Sequence, residues 1–119
     1  MHSKELAVFV EDALDATKAR DIRALEVSRL TSITDFMIIA SGTSDRHVRA
    51  IADRVIELTK AADYPAIGVE GLEHGEWVLV DLDDVVVHIM QPRIREFYKL
   101  ENLWDMDIQD TVVNVEHTP

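Results

Sequence analysis

Residues 76–90, Glu-Trp-Val-Leu-Val-Asp-Leu-Asp-Asp-Val-Val-Val-His-Ile-Met, decide the fold of this chain. The stretch is rich in β-branched residues, and its acidic residues are concentrated near the centre. Such a pattern predicts two strands, 76–81 and 84–90, that are joined by a tight turn. With residues 82–83 as a two-residue turn, the segment forms an antiparallel hairpin.

The two faces of this hairpin differ in character, because side chains alternate across a strand. The predicted turn places Trp77 opposite His88 on one of these faces. The other face contains only β-branched aliphatic residues and is predicted to face the core: Val78, Val80, Val85, Val87 and Ile89. The mixed face combines aromatic, aliphatic, imidazole and carboxylate groups: Trp77, Leu79, Asp81, Asp84, Val86, His88 and Met90.

The mixed face has two interpretations, and the residues alone leave both open. In the first, Trp77 and Met90 pack beneath a following helix, while His88 bonds to Tyr98 or to a carboxylate. In the second, the face binds a partner, since aromatic residues and methionine are enriched in the centres of interfaces. Both depend on the register, because a slip of one residue would exchange the two faces.

The segments around the hairpin predict alternating helices and strands. Helical spacing of apolar residues predicts two helices before the hairpin and one after it, and in the last helix Phe97, Leu100 and Trp104 are predicted to be core. The predicted elements are a helix over 3–19, strands over 25–27 and 35–40, a helix over 45–62, a short strand through 67–69, the hairpin, and a helix from Pro92 to about Trp104. This order, α-β-β-α-β-β-β-α, predicts an α/β fold with a mixed sheet of about five strands flanked by helices.

The length of 119 residues suits one domain with one core. We predict that this domain spans residues 1–104. Residues 105–119 contain four acidic residues and no Lys or Arg, and are predicted to be a mobile C-terminal tail. As an alternative, residues 111–115 could pair as an edge strand.

Composition excludes several classes of function. Twelve Lys and Arg against 23 Asp and Glu give a net charge of −11, which disfavours binding to DNA or RNA and favours a basic protein partner. There are no cysteines, so disulfides and thiolate metal sites are excluded, and the five histidines lack paired metal-ligand spacing. No membrane span or signal peptide is visible, so a cytoplasmic location is expected.

Three blocks of the sequence resemble the ribosomal silencing factor family, also known as Iojap or YbeB. The first comprises residues 33–35 and 37–38 with Ser41-Gly42-Thr43-Ser44-Asp45-Arg46-His47-Val48, the second comprises 68–71 with 76–82 and 84–90, and the third comprises Arg95, Phe97-Tyr98, Leu100-Glu101 and Leu103-Trp104. The resemblance covers residues 3–104, and the three blocks in this order are far more specific than any one alone. One departure is Asp83, where the family usually has Gly, which indicates a turn residue with left-handed backbone geometry.

The resemblance implies a fold like that of nucleotidyltransferases and a function without catalysis. Members of the family bind ribosomal protein L14 on the large ribosomal subunit, which blocks joining of the small subunit and represses translation. Several members are dimeric, so a homodimer is expected as an alternative state. With this resemblance, the mixed face becomes the predicted docking surface, and its predicted contact residues are Trp77, Leu79, Asp81, Asp84, His88, Met90 and Tyr98.

An enzymatic alternative starts from the pair Asp81 and Asp83 and from the turn Gly42-Thr43-Ser44 before a helix. Nucleotidyltransferases hold phosphates and magnesium with such groups. However, Asp83 lies in the predicted turn, so the two carboxylates would not project from one strand. We therefore expect no catalytic residues, no metal and no cofactor, and we keep a nucleotide-binding enzyme and a dimeric adaptor for another partner as alternatives.

Overall fold

Within residues 1–102, three helices and five strands follow one another in the predicted order. The structure is a computed structural model, and it describes residues 1–102. The elements are α1 (Ser3–Ala16), β1 (Arg20–Glu26), β2 (Phe36–Ser41), α2 (Asp45–Ala61), β3 (Gly68–Glu70), β4 (Trp77–Asp81), β5 (Val85–Met90) and α3 (Pro92–Tyr98). The α/β fold class is confirmed. The predicted tail and the alternative edge strand at 111–115 lie outside the described residues, as does Trp104.

All five strands form one mixed sheet in the order β1-β2-β5-β4-β3. The parallel pair is β2 with β5, and the other three neighbouring pairs are antiparallel. Strand β1 begins earlier than the predicted 25–27. The prediction missed its first residues because they are mostly polar and lie at the exposed edge of the sheet. The central strand β5 is paired on both sides, so it fixes the positions of both faces of the hairpin.

Helices α1 and α2 cover one face of the sheet, and this face forms the main core. The aliphatic face of the hairpin lies here with no exposed surface, as predicted, at Val78, Val80, Val85, Val87 and Ile89. Helix α2 begins after Ser44, whose Oγ accepts a hydrogen bond from the backbone N–H of His47 at 3.1 Å. Capping of this kind satisfies a donor that the helix itself leaves unpaired.

The register of the hairpin differs from the prediction. Trp77 pairs with Met90 rather than with His88, and the turn consists of Asp83 and Asp84. The reason is Leu82, which is buried and whose N–H donates to the carbonyl of Val85 at 2.9 Å. An apolar residue thus stays in the ladder and two exposed carboxylates take the turn. Because the partner moves by two positions, every side chain keeps its predicted face.

Helix α3 covers only part of the other face of the sheet. A second, smaller core lies beneath it and includes Met90, with Ile94 and Leu100 packed against it. The helix ends at Tyr98, earlier than predicted, because Lys99 has a positive φ of 49° that breaks the helical path. The prediction that Phe97 belongs to the core is wrong, since this side chain is 77% exposed.

Candidate docking surface

Of the seven residues predicted to contact a partner, five lie on the sheet face opposite α1 and α2, whereas Asp84 lies in the adjoining turn and Tyr98 lies on α3 beside this face. Their exposure divides them into three groups. Asp84 and Tyr98 are exposed, whereas Trp77, Leu79 and Asp81 are half-buried. His88 is 6% exposed and Met90 has no exposed surface, so Met90 supports the surface from below and offers no contact area in this structure.

Trp77 is held in place by a hydrogen bond and by a neighbouring ring. Its indole Nε1 donates to Nδ1 of His88 at 2.9 Å. The centroid of its ring lies 5.0 Å from that of Tyr98, at an interplanar angle of 51°. Phe97 adds a third ring, which meets Tyr98 edge to face at 4.9 Å. The three side chains form an aromatic row, Trp77-Tyr98-Phe97, that runs from the sheet onto α3.

The imidazole of His88 is neutral at physiological pH. Desolvation by burial lowers its pKa from 6.5 to about 4. An indole N–H can only donate, so Nδ1 of His88 must be the acceptor, and the single ring proton then lies on Nε2. Burial and the bond to Trp77 therefore fix both the charge and the tautomer of this ring.

Asp81 organises the turn at the end of the hairpin. Its Oδ1 accepts a hydrogen bond from the backbone N–H of Asp83 at 2.8 Å. Asp83 itself has a positive φ of 75°, which agrees with the expectation of left-handed geometry at this position. Asp83 and Asp84 are exposed, so the turn presents a concentrated negative charge next to the mixed face. The side chain of Asp81 thus already has a structural partner.

The backbone beneath Trp77 depends on Gly71, in the loop between β3 and β4. Gly71 has a positive φ of 92°, and a Cβ built on it would lie 2.0 Å from the carbonyl oxygen of Trp77. No side chain fits at that distance, because real Cβ contacts essentially never fall below 3.0 Å. The close approach of these two backbone segments therefore requires glycine at position 71.

Helix α3 is tied to the sheet by a buried arginine. Arg95 donates from Nε to Oε2 of Glu101 at 2.8 Å and from a terminal guanidinium nitrogen to Oγ of Ser41 at 2.9 Å. The contact with Ser41 joins α3 to the end of β2, while Glu101 follows the helix. This arrangement holds Tyr98 and Phe97 beside the sheet.

Sequence reasoning missed two exposed apolar residues that border the mixed face. Phe97 was assigned to the core because its spacing fits a helical stripe, but α3 has only seven residues and leaves its last turn in solvent. Ile33 is 80% exposed and lies in the loop before β2. The sequence does indicate this exposure, because Ile33 is an isolated aliphatic residue among Ser and Thr in a predicted loop.

Metal-binding clusters and membrane-spanning helices are both absent from the described part of the chain. Among residues 1–102, no group of three or more His, Asp or Glu side chains could hold a metal ion. No helix in this range is long and apolar enough to cross a membrane. The fold and the mixed face therefore define a small α/β domain that presents an aromatic row at one end of the hairpin and a group of carboxylates at the other.

Comparison with known proteins identifies the family of this domain. The whole chain, residues 1–119, matches the family model described as ribosomal silencing factor during starvation. The ribosomal silencing factor RsfS of Chromobacterium violaceum is 45% identical over 104 residues, which cover 87% of this chain and 85% of that protein. The RsfS of Haemophilus influenzae is 46% identical over 99 residues, which cover 83% and 97%. The chain therefore belongs to the ribosomal silencing factor family.

A more distant relative and a solved structure extend this comparison. The mouse protein named mitochondrial assembly of ribosomal large subunit protein 1 is 36% identical over 91 residues, which cover 74% of this chain and 40% of that protein. A crystal structure of a Chromobacterium violaceum protein superposes with a TM-score of 0.87 at 45% identity, covering 88% of each chain. The fold described above is thus shared with an experimentally determined relative.

Proposed function

We propose that this protein binds ribosomal protein L14 on the large ribosomal subunit through the mixed face of the sheet. The bound domain then occupies space that the small subunit needs, so subunit joining is blocked and translation is repressed. The mechanism is steric, acts in the cytoplasm and requires no catalysis. The name of the mouse relative adds a role in assembly of the large subunit as an extension of the proposal.

One observation carries this proposal: an aromatic row of one half-buried and two exposed rings lies on the surface of a silencing-factor domain. Trp and Tyr dominate binding energy when they are rigid and sit near the centre of an interface. Trp77 meets the first condition, because it is fixed by His88 on one side and by Tyr98 on the other. Little conformational entropy is then lost when a partner covers this ring.

Charge supports a basic protein as the partner. The chain has a net charge of −11, and Asp81 on the mixed face and Asp84 in the adjoining turn add negative charge at the end of the hairpin opposite Trp77. Opposite charge at the rim of an interface accelerates association and selects among partners. Ribosomal RNA, whose phosphates are negative, is repelled by the same charge.

Sedimentation with purified large subunits tests the proposal. We expect the protein to co-migrate with large subunits and to reduce the yield of joined ribosomes. The variant Trp77→Ala should lose about 2 kcal/mol or more of binding free energy, roughly a thirtyfold rise in Kd. Val8→Ala is the control, because Val8 is an exposed apolar residue on α1, on the opposite side of the sheet.

The outcomes separate the proposal from its alternatives. Normal binding by Trp77→Ala, with a native circular dichroism spectrum, would show that the docking surface lies elsewhere. Co-migration without reduced joining would favour an adaptor for another partner, including a dimeric one. Isothermal titration with magnesium and nucleoside triphosphates addresses the enzyme alternative, for which heat of binding would be required.

A further inference from the structure

Beside the aromatic row, the mixed face contains a cleft of about 300 Å³ that is only partly lined by the proposed docking residues. It lies between the loop that precedes β2 and the strands β4 and β5. We call it the β5 cleft. Its lining is mainly apolar and includes Ile33, Met37, Leu79, Val86 and His88. This volume is at the lower end for ligand pockets, so it suits one aliphatic side chain rather than a large ligand.

The β5 cleft contains one polar group whose hydrogen-bonding capacity is unused. His88 is more than nine-tenths buried, and its Nδ1 already accepts from Trp77. Its Nε2 therefore carries the proton, and among residues 1–102 this N–H has no hydrogen-bond partner. Nε2 of His88 is not among the fully buried atoms of residues 1–102 that lack a partner, so this N–H reaches the surface of the cleft. Solvent accepts from it in the free protein, and a carbonyl oxygen of a bound molecule can take the place of that solvent.

The charge around the cleft indicates which molecule fits. Asp81 is the one charged residue in the lining, and the turn residues Asp83 and Asp84 adjoin it. The backbone N–H of Asp35 donates to the carbonyl of Asp84 at 3.0 Å, so this residue lies next to the turn. One carboxylate in the lining, with further acidic residues beside it, favours a segment that carries Lys or Arg next to its apolar residue.

We propose that the β5 cleft receives an aliphatic side chain from a basic segment of the ribosomal partner, and that Nε2–H of His88 donates to a main-chain carbonyl of that segment. The inference rests on the proposed function and deepens it, because it states the chemistry of the partner segment. It also gives Trp77 a second role, since the indole positions the imidazole as well as covering partner surface. Ile33 then acts as the wall of the cleft.

Two variants test the cleft in opposite directions. Ile33→Ala removes the wall, and Val86→Phe fills the cleft with a ring. Each is expected to raise the Kd for large subunits at least about tenfold, with an unchanged thermal unfolding midpoint for Ile33→Ala, whose side chain is exposed. Ile67→Ala is the matched control, because Ile67 is an isoleucine that is 67% exposed beside β3, and its Kd should not change.

A spectroscopic readout tests the hydrogen bond separately. In protein labelled with ¹⁵N at histidine, the Nε2–H signal of His88 should move downfield and exchange more slowly with water when purified ribosomal protein L14 is added. Unchanged Kd values for both variants, together with weakened binding by Trp77→Ala, would overturn the cleft while leaving the docking surface intact. Normal binding by all three variants would overturn both.

Discussion

Helices cover the two faces of the sheet to different extents. The face beneath α1 and α2 is uniform, and its five hairpin residues are aliphatic and fully buried. The opposite face is covered by α3 only over Met90 and its neighbours, while Leu79 and Val86 remain partly open. One face therefore stabilises the domain, and the other contains aromatic, imidazole and carboxylate groups that stability alone does not require.

The difference also concerns polar groups. The helix-covered face keeps polar side chains out of the hairpin core. The mixed face buries an imidazole, which costs free energy unless the ring is neutral and hydrogen-bonded. That cost is offset by the bond from Trp77, so a residue of the proposed docking surface and a buried polar group stabilise each other. Three experiments would break or sharpen this comparison.

The largest effect is expected from pH, through His88. Its pKa is 6.5 when unfolded and about 4 when folded, so the unfolded chain takes up this proton first as the pH falls. The contribution is fully present above pH 6.5, and on the order of 3 kcal/mol is lost as the pH falls to 4. His88→Gln keeps an acceptor for Trp77 but does not titrate.

Urea denaturation at several pH values measures this effect. The difference in unfolding free energy between wild type and His88→Gln isolates it from the carboxylates, which titrate in both proteins. We expect wild type to lose stability relative to the variant between pH 6.5 and 4. Parallel curves for the two proteins would mean that the imidazole is as well solvated in the folded state as in the unfolded one.

A smaller effect is expected from adjacent valines on opposite faces of β5. Val87→Ala removes two buried methyl groups from the core and should lower the free energy of unfolding by about 2 kcal/mol. Val86→Ala makes the same chemical change on the half-open face and should cost less than about 1 kcal/mol. Thermal or urea unfolding of the two variants compares the faces directly. Equal losses would contradict the assignment of the faces.

The smallest effect concerns the turn that sets both faces. Asp83 has a positive φ, a conformation that is strained for residues with a Cβ, so Asp83→Gly should stabilise the domain by up to about 1 kcal/mol. Asp84→Gly is the matched control, because Asp84 does not have a positive φ, and it should be destabilising. The midpoint of thermal unfolding distinguishes the two. Stabilisation by Asp84→Gly instead would place the left-handed residue of the turn one position later.

Much of this architecture could be predicted from the sequence, because periodicity records burial. The alternation of residues 76–90 identified the core face, and the helical stripe together with Ser44 identified α2. The register could not be derived in the same way, because turns at 82–83 and 83–84 both satisfy the alternation. Burial of Leu82 decides between them, and burial depends on elements that are far away in the sequence.

The sequence predicts which residues form the candidate site, but it does not predict how deeply each of them is buried. The seven proposed residues do lie on or beside one face, yet Met90 is covered by α3, while Phe97 and Ile33 are exposed. Which part of a sheet face a short helix covers depends on where the helix ends. That end is set by the backbone conformation of Lys99, for which the sequence offers no glycine or proline as a signal.

Gly71 links the loop before β4 to the proposed docking surface, so a substitution in that loop can change this surface. Gly71 has no side chain, yet the position of the indole at 77 depends on the space left beneath that backbone. A methyl group there would push the strand aside and disturb ring and imidazole together. Substitutions at position 71 should therefore cause loss of function although they change none of the side chains on the proposed docking surface.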